Sequence, residues 1–438
     1  MFSSIFVPVL VAAAIAGAPD ALPVSRAQAP AEENAPTLAL EPLLAAVVER
    51  NPDLVALDAQ RAAALDRAIA AGSLPHPMLG FAIRNLPVDT FSFTDDMMTM
   101  KEVMLRQQFP WFGKRELRRE AVEQNAKLAE AEKASQALLL RQATTDAYAN
   151  LWLSTSSVRL VEEQQQALER FRVIARGRYA AGGGSQSDLL RADVELARIT
   201  DPLLELEEME TAARAALATL LHRPLASFEG SPAAPPLPAL PADPAPLYAR
   251  IEAHPELRAL GEQAERSEIE ARLALRDRWP DPEVGVMWGF RTDMPDMVGA
   301  EVMFQIPVFA GSKENRLAAA SRSEARSALL QRESRADTLL GEARTAWAAA
   351  KRQRDLIRLY DEEIVPRAER NVQSAIGSYQ AGSVDFLTLL DAQVQLQAQQ
   401  LEALRARANY VRQLARLARA TGVSLFDESL AAPEVDRG

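Results

Sequence analysis

The sequence predicts a mainly α-helical fold with a small β part, built as a duplicated helix–strand–strand–long helix–helix repeat. Three observations lead there. Long stretches rich in Ala, Leu, Arg, Glu and Gln run without Gly or Pro, a set of landmarks recurs in the same order, and four short runs alternate apolar and polar residues.

Residues 1–29 read as an export signal. The apolar run 5–18 has the length of a signal core and is too short to span a bilayer as a helix, with small-residue cleavage sites near Ala18 and at Ala27 and Ala29. No Lys or Arg precedes that run, so the cleavage point is left open. A first repeat over 30–229, a Pro-rich linker over 230–246, a second repeat over 247–426 and a short tail over 427–438 follow.

The repeat rests on four pairs. RYAAGGGSQSDLLRADVEL (178–196) aligns with SYQAGSVDFLTLLDAQVQL (378–396), NPDLVAL (51–57) with HPELRAL (254–260), PHPMLGF (75–81) with PDPEVGV (280–286), and QFPWFGK (108–114) with QIPVFAGSK (305–313). Between Gly113 and Pro202 no proline interrupts the chain. A helix from 114 to about 178 would be ~100 Å long. Its counterpart over 312–380 contains Pro366, where a kink or local break is expected. Apolar residues step by three and four through Ile357, Tyr360, Ile364, Ala368, Val372, Ala375 and Tyr379. They do so again through Leu390, Val394, Gln397, Leu401, Leu404, Ala408, Val411, Ala415 and Ala418. That pattern predicts helices coiled on a neighbour.

Four segments alternate with period two. Leu79, Phe81 and Ile83 share a face, as do Val103, Leu105 and Phe109, then Val284, Val286, Trp288 and Phe290, then Ala300, Val302, Phe304 and Ile306. Each is near the length of a tilted membrane strand, although a sheet with one buried face alternates in the same way. Four strands cannot close a barrel, and open edges are not tolerated in lipid. If these strands enter a membrane, several copies must therefore contribute to one barrel.

Composition excludes other classes. A net charge of −11 leaves no broad basic footprint for nucleic acid. With no cysteine there are no disulfides, thiolate metal sites, cysteine nucleophiles or acylated N-terminal Cys. The three histidines, His76, His222 and His254, are not paired at ligand spacing, and His76 and His254 precede prolines, where turn or capping roles are expected. No catalytic nucleophile motif occurs, so neither enzyme activity nor a cofactor is expected. Methionines gather at Met97, Met98, Met100 and Met104 and again at Met287, Met294, Met297 and Met303. Thioethers suit soft ions such as Cu(I), but without Cys or His alongside, packing or lipid contact is the expected role, and no metal site is assigned.

The duplicated order of elements and the repeated Tyr–x–x–Gly turn (Tyr179/Gly182, Tyr379/Gly382) resemble the TolC family of outer-membrane efflux proteins over nearly the whole mature chain. QFPWFGKR (108–115) resembles the subgroup that serves heavy-metal pumps of the resistance-nodulation-division class. In physical terms that segment is architectural, since Pro110 ends a strand and Gly113 permits a sharp turn into the long helix. The resemblance implies a homotrimer in the bacterial outer membrane, with twelve strands, four per chain, forming one transmembrane β-barrel. A long coiled α-helical barrel would project into the periplasm.

It also implies partners: outer-membrane lipid, a periplasmic adaptor and an inner-membrane pump that supplies the energy. The turns holding Tyr179, Gly182, Gly183, Gly184, Tyr379, Gly382, Ser383 and Val384 would be the adaptor-contacting tips. Asp391 matches a gating carboxylate of the family. The companion position holds Thr388 here, and Asp188 near the first tip is the substitute candidate. The hairpin connections would be extracellular loops, with Asp95, Asp96, Asp293 and Asp296 lining the exit. The function expected is a passive exit duct, for heavy-metal cations by the subgroup resemblance. Rival readings are a soluble periplasmic coiled-coil scaffold or adaptor, and a duct for drugs or secreted proteins.

Overall fold

The matched NPDL and HPEL landmarks start helices by one shared device. In the computed structural model, which describes residues 37–424 and Phe426, Asn51 caps a helix whose first residue is Pro52, and its Oδ1 accepts from the Asp53 N–H at 2.9 Å. His254 does the same for a helix beginning at Pro255, its Nδ1 accepting from the Glu256 N–H at 3.2 Å. Proline suits the first helical position because the N–H it lacks would be unsatisfied there. The expected export signal at 1–29 and the tail at 427–438 lie outside the described residues.

The first repeat holds α1 (Leu40–Arg50), α2 (Pro52–Ala71), β1 (Met78–Arg84), β2 (Met100–Gln108), α3 (Lys114–Ala180), α4 (Gln186–Arg198) and α5 (Thr200–Leu221). After a short α6 (Ala245–Ala249), the second holds α7 (Pro255–Arg276), β3 (Pro282–Phe290), β4 (Met297–Phe304), α8 (Glu314–Leu359), α9 (Val365–Gln380) and α10 (Phe386–Thr421). At 67 residues, α3 is about 100 Å long. The break expected at Pro366 is a single π-helical turn, Tyr360–Ile364, just before it, so α8 and α9 form one locally widened rod. Phe109 and Ile306, expected at the ends of strands, lie just beyond β2 and β4.

The caps also splice helices end to end. Asn51 Nδ2 donates to the Leu220 carbonyl at the end of α5 at 3.2 Å, and His254 Nε2 bonds the Arg419 carbonyl near the end of α10 at 2.9 Å. Thus α5 runs on into α2, and α10 into α7, giving two spliced rods beside the two long ones. The coiled seam expected on α10 is only part of what it buries. Ala408, Val411 and Ala415 are buried, and so is a second stripe through Tyr410, Leu414 and Leu417, because α10 packs against both α3 and α8. Val394, expected in the seam, is exposed. Toward the sheet the buried side chains shrink to alanines, among them Ala121, Ala129, Ala264, Ala271, Ala318 and Ala325, which allow close helix approach.

The segment 230–246 is fixed as a strap across the helices rather than a free linker. Tyr148 Oη lies 2.8 Å from the carbonyls of both Leu38 and Ala233, and Tyr410 Oη donates to Pro238 O at 2.5 Å. Trp347 Nε1 donates to Pro241 O at 3.3 Å. Prolines supply carbonyls without N–H groups to satisfy, so side-chain donors from the helices suffice.

The four strands form one antiparallel sheet in the order β1-β2-β3-β4, the two repeats joining through β2 and β3. Its register places Leu79, Phe81 and Ile83, Val103 and Leu105, Val284, Val286, Trp288 and Phe290, and Val298, Ala300, Val302 and Phe304 on one face. Phe81 is 76% exposed and Val298 68%. The other face carries ion pairs, Arg84 with Glu102 and Arg106 with Glu301 at 2.7 Å. β1 and β4 each leave one edge unpaired within the chain.

Candidate functional site

Three places carry the chemistry that sequence singled out: the hairpin end of the sheet, its junction with the helices, and the turn end of the long rods. Both hairpin connections lie at the sheet end away from the helices, because the helices flank each hairpin on its other side.

At the hairpin end the expected exit aspartates serve their own loops. Asp95 accepts from Ser92 Oγ at 2.7 Å, and hydrogen bonds from Ser92 and then Thr90 hold its carboxyl below the usual range. Asp96 Oδ1 accepts from the Met98 N–H at 2.8 Å, and Asp296 Oδ2 accepts from the Trp288 indole at 3.0 Å. Asp293 has φ of 62°, a left-handed turn residue.

At the junction, Gly113 has φ of 83°, the sharp turn read from QFPWFGK. That segment docks on the second repeat. Trp111 stacks on Trp279 with centroids 5.5 Å apart, and its backbone N–H donates to Asp281 Oδ1 at 2.7 Å. Lys114 is 3% exposed, with its Nζ 2.7 Å from Asp281 and donating to Trp279 O at 2.7 Å.

At the turn end, Gly182 and Gly382 have φ of 72° and 79°, and each N–H bonds the carbonyl of the Tyr three residues earlier at 3.0 Å. The next residues repeat the pattern, Gly183 N–H to Arg178 O at 2.9 Å and Ser383 N–H to Ser378 O at 3.0 Å. Gly184 is tight against the backbone, where a Cβ would sit 2.9 Å from Tyr179 N. Val384 is half-buried against the core of this end. The paired tyrosines diverge. Tyr179 is exposed, whereas Tyr379 is buried against Phe386 and donates from Oη to Asp188 at 3.1 Å. Tyr379 is therefore a support of the tip rather than surface for a partner. Burial first, and then the Asp188 charge, push its phenol up.

The gate candidates are separated by role. Asp391 is exposed on α10, in register with Arg191 of the first repeat. Thr388 donates its N–H at 2.9 Å and its hydroxyl at 2.6 Å to Asp385, the N-cap of α10. Those bonds hold the Asp385 carboxyl below the usual range. Asp188 is engaged by Tyr379. Sequence reading missed Asp385 and Arg178. Asp385 has a signal, since Asp directly before an apolar-periodic run marks a helix start. Arg178 has none, because its second-repeat counterpart is Ser378.

Among the described residues no cluster of His, Asp or Glu is arranged to hold a metal, and no helix is long and apolar enough to cross a membrane. The sequence profile of the family described as outer membrane efflux protein matches residues 43–222 and 250–423. The chain belongs to the outer membrane efflux protein family. Members of this family are channel components rather than enzymes. Solved structures of efflux-protein channels share the fold. CusC matches at 17% identity and TM-score 0.73 over 89% of this chain and 93% of that one. VceC from Vibrio cholerae matches at 20% and 0.71 over 88% and 96%. The open-state MtrE channel of Neisseria gonorrhoeae matches at 18% and 0.73 over 88% and 89%. No curated protein sequence matches the chain.

Proposed function

We propose that three copies of this efflux protein form a passive duct through the bacterial outer membrane, its helical part in the periplasm. It would carry heavy-metal cations delivered by an inner-membrane pump of the resistance-nodulation-division class through a periplasmic adaptor. The observation that carries the reading is the sheet: a mainly apolar face left in the open, with Lys101 and Gln107 only at its two ends, a charged face behind it, and an unpaired strand at each edge. Lipid suits the first face and a water-filled lumen the second, and pairing edge to edge with further copies removes the edges. Channels of this family are trimers in tripartite efflux systems. A soluble scaffold would leave Phe81, Val298 and Phe304 in water for no return.

Heavy-metal cargo rests on the QFPWFGKR resemblance. The adaptor would meet the turns at 180–187 and 380–387, with Tyr179 exposed beside the first and Leu387 at the second. Asp391 is the gate candidate, because threefold symmetry would bring three carboxylates to one axis.

Detergent-purified protein should weigh as a trimer and give discrete conductance in planar bilayers, and Asp391→Ala should raise that conductance or weaken block by divalent cations. A monomer stable without detergent and silent in bilayers would overturn the duct. Unchanged conductance and block in the variant would remove Asp391 from the gate.

A further inference from the structure

The methionines of the strands are sorted by face. Met78 of β1, Met100 and Met104 of β2, Met287 of β3, and Met297 and Met303 of β4 all share the face that holds the Arg84–Glu102 and Arg106–Glu301 pairs. The apolar face, where a thioether would be at home in lipid, carries none. On the reading of the sheet as a channel wall, these side chains would face the lumen rather than lipid. Filling space over the glycines accounts for Met100 and Met287, which lie over Gly289 and Gly299, but not for six thioethers on a face that also carries two ion pairs.

The register gathers the sulfurs in pairs. Met104 stands directly opposite Met287, at a separation where cross-strand side chains touch. Met100 reaches across Gly289, its Sδ 2.7 Å from where a Cβ on that glycine would be, and Gly289 is the strand partner of Met297. Met287 leans in the same way over Gly299, its Sδ 3.0 Å from the Cβ position there. Glycine at 289 is thus the condition for Met100 to reach toward Met297, and glycine at 299 lets Met287 lie over β4. The nearest carboxylate without a full partner is Glu283, across from Met303 and 3.8 Å from Arg106.

We infer that this face carries weak thioether sites for soft monovalent cations, Cu(I) or Ag(I), at Met104/Met287 and Met100/Met297. The inference rests on reading the sheet as a channel wall. Thioether sulfur is uncharged and polarisable, so it holds soft ions and leaves hard divalent ones to oxygen ligands. It does not take up a proton in ordinary acid, so binding would not fade as a carboxylate site does. Successive weak sites along a wall let an ion enter and leave, which is what passage requires.

The test uses the detergent-solubilised full chain in chloride-free nitrate buffer, titrated with silver nitrate by calorimetry and examined by silver K-edge absorption. Leu replaces Met with nearly the same volume, so the comparison protein carries M100L, M104L, M287L and M297L together. The wild-type chain should bind Ag(I) with a sulfur shell, and the fourfold variant should bind at least tenfold more weakly and lose that shell. The wild-type chain should conduct potassium in bilayers. Silver binding unchanged in the variant, or a shell of oxygen alone, overturns the inference. A conducting protein that binds no silver sinks this site and spares the duct. A protein that never conducts sinks the duct instead.

Discussion

Arg178 of the first repeat lies over the ring of Tyr379 of the second, its guanidinium carbon 4.5 Å from the centroid, and donates to the Tyr379 carbonyl at 2.6 Å and to Gly183 O at 2.8 Å. One side chain thereby ties both turns together. Arg178→Ala removes two charge-assisted hydrogen bonds at a half-exposed position, a loss of about 1–3 kcal/mol. Because the turn end is a separate core, the loss should appear as local opening. Hydrogen exchange should speed up at 178–190 and 376–392 with little change in Tm. Arg178→Lys should be intermediate, since it keeps the charge and loses the planar fork. Exchange unaltered in the alanine variant would show that the turns hold without this link.

The two turn glycines should not respond alike to substitution. Both have left-handed backbones, at which an L side chain costs about 1–2 kcal/mol. A Cβ at Gly382 would also come within 3.2 Å of Arg178 Nη2, whereas Gly182 has open space around it. Gly382→Ala should therefore destabilise more than Gly182→Ala, and Asn at either position should be milder than Ala. Local exchange and thermal unfolding check the order, and equal losses would count against the Arg178 contact as the cause.

Lys114 has its ammonium buried between Asp281, Asp277 and the Trp279 carbonyl, so it anchors the start of α3 to the strand entry of the other repeat. Removing one partner of a buried pair costs about 3–5 kcal/mol. Lys114→Met should fall near the low end, because Asp277 is more than a third exposed and can rehydrate. Thermal unfolding in detergent should drop by several degrees, and Lys114→Arg, longer and forked, should restore only part. A variant as stable as wild type would mean that the Trp111–Trp279 stack alone holds the junction.

Period and punctuation made the long rods, the four strands and the left-handed turns legible, since each is dictated locally by apolar spacing or by a glycine. What stayed hidden depends on partners distant in sequence. The second buried stripe of α10 exists because two helices flank it, and the strap at 230–246 is held by hydroxyls from Tyr148 and Tyr410. The face chosen by the strand methionines was readable once register was known. Met104 is two residues from both Glu102 and Arg106, and register adds Arg84 and Glu301 from other strands to the same face. Asp188 looked like a free carboxylate until the fold brought Tyr379 to it.

His254 gives the splice between α10 and α7 a pH dependence that its counterpart Asn51 lacks. Its Nδ1 accepts from the Glu256 N–H, so that nitrogen carries no proton, and the Nε2 proton goes to the Arg419 carbonyl. The cap works only with a neutral ring. Burial, the largest influence, holds the imidazole below its ordinary value despite the opposing pull of the Arg419 carbonyl and Glu256. A base with a depressed folded pKa contributes stability that is full above about 6.5, its unfolded value, and is lost as pH falls through the folded one. Wild-type Tm should therefore decline between about pH 7 and pH 5. His254→Ala should lose about 0.5–2 kcal/mol of capping at pH 7, and its gap from wild type should narrow as pH falls. His254→Asn should copy Asn51, capping α7 with Oδ1 and bonding α10 with Nδ2, and should stay flat over that window. The difference between wild type and the Asn variant isolates this ring from the carboxylates, which titrate lower. A constant difference from pH 7 to pH 5 would mean that the imidazole keeps its charge state and the cap does not depend on it.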